Sequence, residues 1–241
     1  MTGVQTCALP ILASSTFSNQ QFPPSTFSLE YKPISGQIIQ QNEKSVLIDF
    51  GKETFGKVVV AGVKGKGTLK LFYGETRQEA LAETQAENYD FLPVDHSFAV
   101  ADTTETRAFR YIYEVPDPGV SFGEISALYE FLPVEYKGDF ECSDDLLNRI
   151  YDVSTYTLHL NTREFHLDGI KRDRWVWSGD AYQSYLLNFY SFFDEEVNKR
   201  TLYALRGHDP VETHINTILA YSFHWIIGVY DHFYYTADSD F

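Results

Sequence analysis

The chain has 241 residues, 44% of them hydrophobic and 16% aromatic, enough to bury one large core or two smaller ones. Thirty-four Asp and Glu against nineteen Lys and Arg leave a formal charge of −15, which repels a phosphate backbone and argues against nucleic acid as a partner. The longest uncharged apolar stretch, residues 215–230, is broken by His, Asn and Ser and closes at Asp231, so it reads as a buried helix and no membrane span is expected.

In chain order, residues 1–11, MTGVQTCALPI, read as the translation of a sequencing-library adapter and are set aside as an artefact. On that reading the natural start and any export signal lie upstream, and the compartment stays open between cytoplasm, periplasm and exterior. Removing Cys7 leaves Cys142 alone, so no intrachain disulfide framework is expected.

Residues 12–136 are expected to form a β-sandwich domain. Segments 45–50, 57–63, 67–75, 96–102, 106–115 and 124–140 are rich in Val, Ile, Phe and Tyr, tend to alternate with polar residues, and are separated by turn residues. Residues 78–90 read as a loop or short helix. GVKGKG (62–67) reads as a hairpin turn and not a phosphate loop, because no helix and no Lys-Ser or Lys-Thr follow it.

From residue 137 to 241 the period becomes helical. Ser143 is the expected cap of a helix carrying Leu146, Leu147, Ile150, Tyr151 and Leu158. A second helix starts at Gly179 or Asp180, EEVNKRTLYALR makes a third that stops at GHDP (207–210), and residues 215–236 make a fourth. Short connections imply helical hairpins.

Between the first two helices lies DGIKRDRWVWSGDA (168–181), where Asp168, Asp173 and Asp180 fall within thirteen positions beside Lys171, Arg172, Arg174, Trp175 and Trp177. Such a loop can be structural, its acids flanking helices and pairing with the arginines. Equally, carboxylates, a guanidinium and tryptophan are the parts that carbohydrate chemistry needs: a proton donor for a glycosidic oxygen, a base for water, and groups that hold the ring. His214 and Asn216, in HINT before the fourth helix, are further candidates for sugar contact, with helix capping by Asn216 or Thr217 as the alternative. Trp225 reads as core. The widely spaced histidines 208, 214, 224 and 232 form no ligand pattern, and no metal is expected.

DGIKRDRWVWSGDA resembles the signature of the bacterial α-L-rhamnosidases, Asp-Cys-Pro-Gln-Arg-Glu-Arg-Leu-Gly-Trp-Thr-Gly-Asp-Ala. GDFECSDDLLNRIYDVSTYTLHLNT is similar to the segment before it in that family, and LIDFGKETFGKVVV and RAFRYIYEV to the family's sandwich. The resemblance spans residues 40–241. It implies a β-sandwich followed by the first hairpins of an α/α six-hairpin barrel, an inverting glycosidase that releases terminal α-L-rhamnose without a cofactor, and rhamnose-containing glycosides, oligosaccharides or polysaccharides as partners. Carried over by residue, it implies Asp173 as general acid, one methylene shorter than the family's glutamate, and Asp168, Arg172, Trp177 and Asp180 as sugar ligands. Gly169, Ile170 and Lys171 depart from the family's Cys-Pro-Gln. Twelve helices cannot fit in the roughly one hundred residues after 140, so the barrel is expected to be truncated, the general base missing and the fragment inactive. A different class, a non-catalytic carbohydrate-binding sandwich with a helical appendage, would place its aromatics on the sandwich and not in this loop.

Overall fold

A computed structural model describes residues 26–42, 44–207 and 212–241. The adapter-like residues 1–11 and most of GHDP lie outside the described residues. Among the described residues two compact units are present, one built from residues 30–131 with 170–172, the other from 132–169 and 173–241 together with residues 26–29.

The first unit is antiparallel sheet. Its strands are β1 (Glu30–Ser35), β2 (Gln37–Asn42), β3 (Ser45–Gly74), β4 (Asn88–Pro116), β5 (Val120–Ser121) and β6 (Ile125–Phe131), with a short helix α1 (Arg77–Leu81) between β3 and β4. β3 and β4 are so long because each contributes to two layers. In one layer the order is 37–42, 45–49, 111–116, 69–74, 88–93; in the other it is 30–35, 125–131, 56–60, 102–107. The inner faces share one core, in which Val46, Ile48, Leu69, Leu71 and Ile112 of the first layer meet Val58, Val60, Ile125 and Ala127 of the second.

The glycine-rich segment 62–67 corrects the sequence reading. It is not a hairpin turn: Val63, Gly65, Lys66 and Gly67 stay extended and pair with Val100, His96, Asp95 and Val94. The register slips between Val60 and Val63, where Gly62 takes φ +71°, a left-handed conformation that lets the strand bend at a corner without ending. β1 and β2 also carry pairing that the sequence pattern did not single out, because both are largely exposed edge segments with little alternation.

One core position breaks the hydrophobic pattern. Glu114 lies two residues after Ile112 on the same face, opposite Val46 on one side and Leu71 on the other. It is fully buried, and neither carboxyl oxygen has a hydrogen-bond partner among the described residues. Burial pushes it up to about 8.

The second unit carries α2 (Asp145–Asn161), α3 (Ser178–Ser191), α4 (Glu195–Arg206) and α5 (Leu219–Thr236), with a 3-10 turn at Ile215–Thr217. The cap of α2 is Asp144, one residue past the expected Ser143; its Oδ1 accepts from Leu146 N at 2.8 Å. Asp194 caps α4 by accepting from Val197 N at 3.0 Å. Tyr185 and Phe189 of α3, and Leu202, Ala204 and Leu205 of α4, form the core, with Trp225 and Val229 of α5 packed against it. Trp225 donates to Leu202 O at 2.8 Å, a core anchor as the sequence reading had it. No helix among the described residues is long and apolar enough to cross a membrane.

Candidate functional site

The motif loop is held from both ends. Upstream, His166 is completely buried; its Nε2 meets Asn198 Oδ1 at 2.8 Å and its backbone N donates to Thr201 Oγ1 at 3.0 Å. Asn188 donates to the same Asn198 oxygen at 2.9 Å and to Asp194 O at 2.7 Å. This network ties the chain just before Asp168 to α3 and α4. Burial lowers His166 to about 4, so it is a neutral structural ring at physiological pH.

The loop then closes on itself. Asp168 N donates to Trp175 O at 3.0 Å, and Trp175 N donates to Asp168 Oδ1 at 2.8 Å. Within the closure Asp173 and Arg174 hold φ of +54° and +48°, two consecutive non-glycine residues in the left-handed region. Each costs about 1 kcal/mol or more, so the local strain is sustained by the stapled ends. Asp173, at this turn, is exposed to solvent.

Downstream, Asn216 clamps the loop to the segment before α5. Its Oδ1 accepts from Ser178 N at 3.0 Å and its Nδ2 donates to Val176 O at 3.1 Å, while Ser178 Oγ donates to Tyr221 O at 2.8 Å. The Asn216 amide is therefore spent on positioning the loop; it does not cap α5, whose N-cap is Ile218. Gly179 is required by close approach, since a Cβ there would lie 2.8 Å from the Tyr221 ring. Trp177 sits edge-on to Tyr221 at 6.2 Å between centroids.

The acids sense one another. Asp168 is raised first by burial, opposed by backbone hydrogen bonds from Trp175 and Gly169, and raised further by the charges of Asp173 and Asp180. The Tyr221 phenol is raised by burial and then by Asp180 and Asp168. Asp168, Asp173, Asp180, Trp177 and Tyr221 thus gather at the N-terminal ends of α3 and α5, with Asp180 in the first turn of α3. Tyr221 was not singled out from the sequence, where it sits in an apolar helical run that reads as core.

The remaining predicted residues are placed differently. Arg172 is exposed and groups with the strand unit, as does Lys171, whose Nζ pairs with Glu79 at 2.7 Å and Glu75 at 3.7 Å. His214 is exposed, its Nδ1 3.4 Å from Ser222 Oγ.

Comparison with known proteins matches both halves of the chain to one enzyme family. Residues 6–114 match the model described as alpha-rhamnosidase-like, bacteroidetes, N-terminal, and residues 135–219 match the bacterial alpha-L-rhamnosidase 6 hairpin glycosidase domain. The chain belongs to the bacterial α-L-rhamnosidase family. A curated relative, an alpha-L-rhamnosidase of Formosa agariphila, is 24% identical over 222 residues, covering 81% of this chain and 22% of its own length. Among solved structures, a rhamnosidase from Klebsiella oxytoca with rhamnose bound superposes with a TM-score of 0.71 at 20% identity, over 88% of this chain and 53% of that one. The family rhamnosidase of Bacillus sp. GL1 gives 0.67 at 22% identity, over 84% of this chain and 23% of that one. These likenesses show the fold, a sandwich followed by helical hairpins. The chain spans about half or less of the lengths of these relatives.

Proposed function

We propose that the chain is part of an inverting glycoside hydrolase that releases terminal α-L-rhamnose from glycosides or polysaccharides. The observation that carries this reading is the gathering of Asp168, Asp173 and Asp180 beside Trp177 and Tyr221 in the family's motif loop. In this reading Asp173, exposed at the strained turn, donates the proton to the glycosidic oxygen as the bond to the anomeric carbon breaks. Asp180 and Asp168 accept from sugar hydroxyls, Arg172 donates to them, and Trp177 walls the ring. Asn216 acts one step back, by holding Val176 and Ser178; His214 remains a candidate for contact at the rim.

An inverting enzyme needs a second carboxylate that activates water about 6.5–9.5 Å from the acid, on the opposite face of the sugar. We assign it to a part of the barrel outside these 241 residues, and expect the chain alone to be inactive. The exposed apolar faces support a continuing barrel: Leu219, Phe223, Ile226, Tyr230 and Phe233 of α5 are each more than half exposed, and Leu146, Ile150 and Val153 of α2 are half or more exposed.

The test is product stereochemistry. A full-length protein containing this chain, given an aryl α-L-rhamnoside, should release β-L-rhamnose first, read by proton NMR before mutarotation. Initial release of the α-anomer would overturn the inverting assignment, and no rhamnose release from any rhamnoside would overturn the substrate class.

A further inference from the structure

The far end of α5 carries a second cluster, independent of the motif loop. His232 is eleven residues beyond Tyr221, about 16 Å along the helix axis. It is 1% exposed, and neither ring nitrogen has a hydrogen-bond partner among the described residues. Phe241 packs edge-on against the ring at 5.0 Å, and Phe189 lies at 6.4 Å. An imidazole carries a donor and an acceptor, or two potential metal-binding positions, and leaving both unmet in an apolar setting is unfavourable.

Two half-buried carboxylates complete the group. Glu195 is the first residue of α4 and Asp238 lies two residues past the end of α5. One ligand atom from each of Glu195, His232 and Asp238 lies within 4.8 Å of the others. We propose that these three side chains form a structural binding site for a divalent cation of the zinc class, tying the C-terminal end of α5 to the start of α4.

The donor set selects the ion. Imidazole nitrogen favours zinc and its neighbours over calcium or magnesium, which prefer oxygen alone. Bonds of roughly 2.0–2.2 Å in a tetrahedron place donors about 3.3 Å apart, so the three groups close in by side-chain adjustment and leave a fourth position for water. The C-terminal end of α5, the negative end of its helix dipole, also favours a cation.

A competitor is built in. Lys199 Nζ lies 2.6 Å from Asp238 Oδ2 and 3.6 Å from Glu196 Oε1. In the metal-free state the ammonium neutralises Asp238, and metal entry would release it towards Glu196, one helical turn away. Spacing could not have revealed this site, because its ligands come from two helix ends and a terminal segment.

The experiment uses the full chain, freed of metal with a chelator, titrated with zinc chloride by calorimetry and melted with and without zinc. One zinc per chain and a higher melting temperature are expected. Asp238→Asn and His232→Gln should weaken binding by about tenfold or more, whereas Lys199→Met should tighten it by removing the competing cation. Asp238 and Lys199 are partly exposed, so their variants keep the test decisive if His232→Gln does not fold. No saturable zinc binding, affinity unchanged in both Asp238→Asn and Lys199→Met, or calcium bound as tightly as zinc would each overturn the proposal.

Discussion

Glu114→Gln isolates the cost of the lone carboxyl in the sandwich core. In the folded chain burial raises this group from 4.5 to about 8. A raised group favours folding where it is protonated, so its contribution is fully present below pH 4.5 and is lost as the pH rises towards and through 8. Between pH 5 and pH 8 the unfolded chain gives up the proton while the folded chain largely keeps it, and linkage over that interval amounts to about 3 kcal/mol. Glutamine has nearly the same shape and the same unmet polar atoms but no proton to lose. The two proteins should therefore be matched within about 1 kcal/mol near pH 5, with the variant more stable by about 3 kcal/mol at pH 8. Urea denaturation followed by circular dichroism at several pH values reads the difference, and taking it at each pH cancels the titration of every other group. A difference that does not change between pH 5 and 8 would refute the reasoning, since it would mean that the carboxyl is not held protonated by the fold.

His166 should act at the opposite limb. Its lowered value means stability is fully present above pH 6.5 and falls as the pH drops towards 4, by up to about 3 kcal/mol; His166→Gln should flatten this acid limb, and an unchanged slope would count against a neutral buried ring. Asn216→Ala removes hydrogen bonds to Ser178 and Val176 and places alanine at φ +49°, so a loss of about 2–3 kcal/mol is expected in thermal or urea melts. Gly179→Ala crowds the Tyr221 ring and should cost about 1–3 kcal/mol, with a change in the Trp177 environment seen by fluorescence; a variant as stable as wild type would show that the ring moves freely.

The sequence exposed the broad division because its signals are local. Alternating Val, Ile and Phe marked strands, and the run from Glu195 to Arg206 matched its helix end to end because charge and apolar spacing agree there. Continuity of β3 through residues 62–67 was hidden, since glycine and lysine look alike in a turn and in a bent strand; only pairing with 94–100 distinguishes them. In the site, the three aspartates of the motif were legible as a cluster. Tyr221, Asn198 and the bracing role of Asn216 were not, because each acts across more than thirty residues of separation. Glu114 was read as part of an ordinary strand, with no local signal that its carboxyl would face the core.

The role of Asp173 is the claim most directly open to measurement. In the full-length enzyme, Asp173→Asn should cut kcat on an unactivated rhamnoside severely while an aryl rhamnoside with a good leaving group loses far less, because only the poor leaving group needs the proton. Asp180→Asn should weaken both substrates alike, as a ring-binding group does. Equal losses on both substrates in the Asp173 variant would contradict the account and move the general acid to another residue.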